Sequence, residues 1–306
     1  MPDFADARVV CRPALPSDTA DVLEFTRRIW DGRDYIHWVW DEWLADPKGL
    51  LISAQFGPRV IGIAKITPVF PGQWWLHGLR VNPDYHGLKI GSHLHDYLDR
   101  WWLQHGDGML RLLTSTQRVQ VHRLCERTGY RRVGQVTAYR RLLARDAGGA
   151  ADGTMGKEAG TARARFEPVL PEMLAEALDF SREWLVHTEG LMDTGWRFVR
   201  PDEASLADRV RQSHLHWWRG REGLMATWEG DDDDGPVLGI GLAAVRDASM
   251  LAALLQDCVS LADGIPVGAL FWLAPAEAAV QSALKTAGYV TDEDSGVLFE
   301  KRHPLR

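Results

Sequence analysis

Apolar positions along the chain change period repeatedly, and each change marks an element. The short apolar run RVVCRP at 8–13 predicts a strand. Val22, Phe25 and Ile29 then recur at helical spacing behind Ser17 and Asp18, residues suited to capping a helix N-terminus. Gly32 breaks that helix within WDGRDYI, 30–36, and Val39, Trp43 and Leu44 mark a second helix that stops before Pro47. Two apolar runs, 50–56 and 59–69, meet at Gly57-Pro58 and predict a hairpin. Leu76, Leu79 and Val81 belong to a further strand that ends at Pro83. After a loop bracketed by Gly87 and Gly91, helical spacing returns with Ile90, Leu94, Leu98 and Trp101. MLRLLTS at 109–115 predicts another strand, and Val121, Leu124, Cys125 and Thr128 a helix ended by Gly129. Tyr130 to Leu143 supplies closing strands.

Residues 145–165, RDAGGAADGTMGKEAGTARAR, are rich in Ala and Gly and poor in apolar side chains, the composition of a mobile linker. From 166 a reduced version of the same order begins. Pro171 to Trp184 predicts a helix, 196–218 holds polar and aromatic helical material, and 225–228 with 237–245 forms a hairpin around Asp231 to Asp234. That acidic run suits a solvated turn better than a metal site, whose ligands usually alternate. Val267 to Leu273 predicts a strand, Ala276 to Ala287 a helix stopped by Gly288-Tyr289, and 296–301 a closing strand.

The 306 residues suggest about two domains at ~150 residues each. No run approaches the ~20 apolar residues of a membrane span, and MPDFADARVV lacks a basic-then-apolar signal pattern. A net charge of −7 disfavours a nucleic-acid or anionic-membrane partner. Cys11, Cys125 and Cys258 are scattered, which suits a reducing cytoplasm without a disulfide framework. Fourteen tryptophans leave three readings open: core mass, a ligand-lining set or a partner surface. His93 and His95, like His214 and His216, lie two apart, a spacing that does not build a shared helical face for zinc.

Candidate chemistry concentrates in residues 74–105, which begin WWLHGLRVNPDYHGLKIGSHLHDYLDRWW. A strand, a small-residue loop and a helix N-terminus together make an anion site, and a phosphate or pyrophosphate is the forecast ligand. This stretch resembles the acyl-CoA-binding motif of the GNAT N-acetyltransferase superfamily, Gln/Arg-x-x-Gly-x-Gly/Ala between strand and helix. The aligned positions are His86, Gly87, Leu88, Lys89, Ile90 and Gly91. Gly91 fits strictly, whereas His86 and Lys89 replace the usual Gln/Arg and the first Gly. The order of elements over 8–144 and the ending LCERTGYRRV are similar to the family as well.

The resemblance implies a mixed, mostly antiparallel α/β fold flanked by helices, present twice in tandem. It divides the chain into an acetyltransferase domain at 1–144, a linker at 145–165 and a degenerate domain at 166–306 without a CoA loop. Acetyl-CoA is the implied cosubstrate. The backbone of His86 to Ser92 would surround its pyrophosphate, and Leu79, Arg80 and Val81 would bond pantetheine and the thioester oxygen. His77 stands on the central strand where relatives carry a carboxylate, and a near-neutral pKa suits it as base. A buried structural histidine is the alternative, and His37 and Asp34 follow as bases. The tyrosine that relatives use as acid is absent, and Cys125 occupies its position, with Tyr130 and Tyr139 as more distant donors.

Residues 30–47, WDGRDYIHWVWDEWLADP, are similar to the branch that includes histidine N-acetyltransferase-like proteins, which implies a free amino acid or small amine as acceptor. Arg33 or Arg80 would pair its carboxylate, with Asp34, Tyr35, His37, Trp38 and Trp75 around it. The expected protein is a cytoplasmic N-acetyltransferase, monomer or homodimer, that uses direct transfer. A non-catalytic acyl-CoA sensor and a protein N-acetyltransferase are the rival readings.

Overall fold

The computed structural model describes residues 9–143, 165–186, 190–232 and 234–304. The linker expected at 145–165 lies, apart from Arg165, outside them. The chain forms two compact units that no single cut separates. Of the described residues, 9–112, 119–131 and 299–304 belong to the first, and 113–118 and 132–298 to the second. A cut through the linker would instead leave 113–118 and 132–143 with the first unit and 299–304 with the second.

In the first unit β1 (Val10–Pro13) precedes α1 (Thr19–Thr26) and α2 (Ile36–Ala45). Then come β2 (Leu50–Phe56), β3 (Arg59–Phe70), β4 (Gln73–Val81), α3 (Ile90–His105), β5 (Met109–Ser115) and α4 (Val119–Arg127). β1 to β4 pair antiparallel in sequence order, and β4 pairs parallel with β5. Val22, Phe25, Ile36, Trp40 and Trp43 from α1 and α2 cluster with Leu51, Val60 and Ile63. Ile90 and Leu94 of α3 instead crowd Gly62. Helices on both faces explain why VIGIAKIT reads as one apolar run rather than an alternation. Asp18 does not cap α1, as its position suggested. Its carboxylate accepts from Arg12 and Ser53 at 2.8 Å and from the Leu15 N–H at 2.9 Å, tying β1 and β2 to the turn.

The second unit contains most of β6 (Arg131–Leu142), one long strand where several were expected. β7 (Phe166–Pro168), α5 (Leu174–Trp184), β8 (Met192–Asp193), β9 (Phe198–Val199), α6 (Glu203–Arg211) and β10 (Leu215–Trp218) follow. The aromatic stretch expected to be helical thus divides between strands and a short helix. β11 (Gly223–Asp232), β12 (Gly235–Val245), α7 (Leu251–Asp257), β13 (Ala269–Pro275) and α8 (Ala278–Thr286) complete the series. β7, β10, β11 and β12 pair antiparallel, β12 and β13 parallel, and β13 and β6 antiparallel. Both units are therefore mixed, mostly antiparallel sheets flanked by helices. In the acidic turn, Arg140 takes the Asp232 carboxylate and, at 3.0 Å, that of Asp234. No group of three or more metal-ligating side chains occurs among the described residues. No helix among them is long and apolar enough to cross a membrane.

The last strand, β14 (Val290–Arg302), starts in the second unit and ends in the first. There Glu300 accepts from Arg111 at 2.7 Å, with side chains only 2% and 1% exposed, and from Arg131 at 2.9 Å. Lys301 meets both oxygens of Asp99 at 2.8 Å, and the His303 N–H donates to the Gly108 carbonyl at 2.8 Å.

Candidate active site

β4 leaves regular pairing on both of its edges. Toward β3, Ile63 pairs with Arg80 and Lys65 with His77, so Gly78 and Leu79 together oppose Ala64. This is a bulge, and its glycine is required twice over. Gly78 has a φ of 66°, and a Cβ there would lie 2.5 Å from the Trp43 ring. Toward β5, the parallel register covers Gln73 to Trp75 against Met109 to Arg111, well short of the strand's end at Val81. The bend releases main-chain groups on this edge from the ladder, and such groups call for other partners.

The loop after β4 leads directly into a helix N-terminus. Asn82 accepts from the Asp84 N–H and from Arg28, fixing the exit from the strand. Gly87 and Lys89 are left-handed, with φ of 85° and 59°. Lys89 thus holds, at the position where the resemblance expects glycine, the backbone shape that glycine favours. Ile90, Leu94 and Leu98 are fully buried and anchor α3. No side chain caps its N-terminus, and its first turn carries no acidic residue. The first-turn N–H groups and the helix dipole therefore face the loop of exposed residues His86 to Lys89. A Cβ on Gly91 would make only an ordinary 3.6 Å contact with Leu79.

The second unit repeats the bend but fills it. Ala226 pairs with Leu242 and Thr227 with Ile240, leaving Gly241 as the extra residue of β12. Parallel pairing with β13 again covers three residues, Val237 to Gly239 against Ala269 to Phe271. A Cβ on Gly239 would meet the Trp228 ring at 2.0 Å, and one on Gly241 the Asp193 carbonyl at 2.3 Å. The next turn is capped by its own carboxylate, since Asp247 accepts from the Ser249 N–H at 2.9 Å.

On the acceptor side of the first unit, His77 Nε2 lies 3.1 Å from the Thr67 hydroxyl, and its ring meets the edge of Trp43 at 4.7 Å. Tyr35 meets Trp43 in turn, at 6.1 Å. Lys65, in register with His77, is 2% exposed; its ammonium lies 2.8 Å from Asp46 as an ion pair rather than a well-directed hydrogen bond. Asp34 is buried and takes Arg80 in a two-point contact, at 2.8 and 3.1 Å. That fork commits Arg80 to the protein itself rather than to a substrate carboxylate. Arg33 and His37 are exposed, with His37 against Trp38 at 4.4 Å. Trp75 is buried in the core at 4% exposure, so it does not offer an open slot.

Cys125 is not placed to act as the acid. Its side chain is fully buried, and burial, helped by the Glu126 charge, pushes its thiol up to about 12. Such a thiol is a poorer donor than a CoA thiol needs, and it packs as an apolar side chain. Tyr130 is equally enclosed: its hydroxyl donates to Asp99 at 3.4 Å, and burial holds its pKa well above the usual tyrosine range. Tyr139 falls in the second unit.

The structure thus brings His77, Trp43 and Tyr35 together, adds Asp34 with Arg80, and sets Cys125 and Trp75 aside. Thr67, and Lys65 with Asp46, stand beside these side chains and were missed by pattern reading. Lys65 did carry a signal, because a lysine inside an otherwise apolar strand requires a partner.

Residues 19–130 match the model of the acetyltransferase (GNAT) family. No curated protein matches the chain significantly. Among solved structures, an acetyltransferase-described protein from Thermoplasma acidophilum aligns at a TM-score of 0.60 and 14% identity, covering 96% of this chain and 99% of its own. A GCN5-related N-acetyltransferase from Sphaerobacter thermophilus aligns at 0.58 and 16%, over 96% and 95%. The GCN5-related glucosamine N-acetyltransferase region of a fungal multi-domain β-N-acetylglucosaminidase aligns at 0.63 and 14%, over 97% of this chain and 38% of that one. At these identities the solved structures speak for the fold, while the matched segment contains the β4 bend, the loop and α3 whole. The likeness to the acetyltransferase (GNAT) family model is thus confined to residues 19–130, a little over a third of the chain.

Proposed function

We propose that this protein is an acetyl-CoA-dependent N-acetyltransferase acting on the amine of a small molecule, with free amino acids among its acceptors. We also read the two units as tandem copies of one fold, of which the first keeps the cosubstrate loop. One observation carries the proposal: the Gly78 bulge turns β4 away from β5 immediately before an uncapped, acid-free helix N-terminus. A thioester-bearing pantetheine needs main-chain partners along a strand, and its pyrophosphate needs N–H donors. Leu79 to Val81 and His86 to Ser92 offer these in that order, with the Lys89 charge beside the second set. The repeated bend at Gly241, filled by Trp228 and Asp193, supports the tandem reading with a single cosubstrate site.

In this reading His77 takes the amine proton, directly or through water, with Thr67 fixing its ring. The neutral amine attacks the thioester carbonyl, the C–S bond breaks, and solvent protonates the departing thiolate. Its low pKa makes that last step undemanding once Cys125 is set aside. Segment 30–47, walling this side with Tyr35 and Trp43, supports a small acceptor, and exposed Arg33 offers it a carboxylate partner.

The test is thiol release from acetyl-CoA with the twenty amino acids, polyamines and amino sugars, comparing wild type with His77→Ala. Turnover with one class, reduced roughly 100- to 10,000-fold in the variant, is the expected result. Tight CoA binding without thiol release from any amine would instead turn the reading to an acyl-CoA sensor.

A further inference from the structure

Arg80 ties β4 to the turn that follows α1. Two of its nitrogens hold the buried Asp34 carboxylate, and a third donates to the Leu79 carbonyl at 3.1 Å. Its guanidinium carbon lies 4.2 Å from the Trp30 ring centre and 5.1 Å from that of Tyr35. The turn it grips is strained. Trp30 and Asp31 are both left-handed, with φ of 51° and 53°, and Gly32 follows at 87°. A bulky residue keeps that conformation only where its surroundings over-determine it. Here the Arg80 face supplies that constraint, and 44% of Trp30 still reaches solvent.

We propose that Arg80 is a positioning residue of the acceptor side. It locks the 30–36 turn to β4 at the residue next to Leu79, and so sets where Trp30 and Tyr35 stand relative to the thioester. The Arg80 main chain is expected beside CoA with Leu79 and Val81, and its side chain was expected to pair a substrate carboxylate. Its side chain points its donors at Asp34 and the Leu79 carbonyl instead. The inference rests on the acetyltransferase reading for its kinetic part only; the clamp itself is independent of any reaction. Lysine cannot replace the arginine, because a point charge reproduces neither the two-point contact nor the stacking. The acceptor it would favour carries a flat or cationic group able to stack on the exposed face of Trp30.

Four variants test this in the full-length chain: Arg80→Lys, Arg80→Gln, Asp34→Asn, and the double change Asp34→Asn with Arg80→Gln. The double change removes both charges together, so no buried carboxylate is left alone if a single variant folds poorly. Amide hydrogen exchange over 30–36 reads the clamp without turnover, and calorimetry with CoA reads cosubstrate binding. We expect exchange in 30–36 to accelerate about tenfold or more in every variant, at the low-stability end of local opening. CoA affinity stays within about twofold, since the loop at 86–92 keeps its own contacts. In thiol release, KM for the acceptor rises and kcat/KM falls by up to about a hundredfold, with KM for acetyl-CoA unchanged. Unchanged exchange over 30–36 would overturn the proposal, as would a loss of CoA affinity without it, which would make Arg80 a cosubstrate ligand. A wild type that turns over no amine would sink the acetyltransferase reading, while the exchange result still decides the clamp.

Discussion

Asp193 and His216 titrate in opposite senses within the second unit. Burial raises the Asp193 carboxyl from 3.8 to about 7, against the Gly195 and Arg197 N–H groups that favour its charged form. The folded chain therefore binds that proton more tightly than the unfolded chain. Its contribution to stability is full below about pH 4 and is lost as pH rises through about 7, a change on the order of 4 kcal/mol. Burial, then the His214 charge, pushes His216 from 6.5 down to about 4. That contribution is full above 6.5 and is lost as pH falls through about 4. The two slopes oppose each other across the same window, while His95 and His214, both lowered by burial, add to the rising one. Relative to wild type, Asp193→Asn should make stability rise more steeply with pH between about 4 and 6.5, and His216→Gln less steeply. Denaturant midpoints at half-unit pH steps check both, and two variants with parallel profiles would discard the account.

At the scale of elements, the bend in β4 depends on Gly78 and the loop does not depend on Gly91 in the same way. Gly78→Ala asks for a left-handed alanine and drives its Cβ into Trp43. It should cost about 1–3 kcal/mol and remove thiol release. Gly91→Ala meets only ordinary contacts within the chain and sits in a helix, so stability should hold within about 1 kcal/mol, and a loss of CoA affinity would report contact with the ligand itself. Thermal melts and calorimetry on the pair separate the two roles. The elements themselves were legible because apolar spacing changes from 2 to 3.6 at nearly every boundary. The bulge was not read from the sequence, although the three-residue step from Leu76 to Leu79 departs from the two-residue step of a regular strand. The partners of Asp18 and Arg80 were not, since each lies on another element; Asp34 and Arg80 are 46 residues apart. A capping residue and a substrate-binding arginine are the local readings of those two side chains, and tertiary contacts override both.

At the scale of the whole molecule, the first unit depends on the end of β14. Arg111 is enclosed with Glu300 as its carboxylate, and Gln73 adds one hydrogen bond at 3.0 Å. Glu300→Ala leaves a buried guanidinium without its charge partner and should destabilise by about 3–5 kcal/mol, read from denaturant midpoints. Removing residues 299–306 takes away Glu300, Lys301 and His303 together and should abolish CoA binding, although the entire loop and α3 remain. Retained calorimetric CoA binding in that shortened chain would contradict this. The exchange of end segments was illegible from periodicity, which reports that a strand exists but not which sheet receives it.

The same exchange sets a schedule for synthesis. Glu300 leaves the ribosome 189 residues after Arg111. At about 5–20 residues per second, the first unit waits roughly 10–40 s for the strand that closes it. Through that interval Arg111 lacks the Glu300 side chain and the first unit lacks its last segment, and incompletely folded nascent chains recruit chaperones or pair with each other. Slow codons or a stall in the second half of the message would therefore reach the first unit first, as aggregation of a unit whose own early sequence is unchanged.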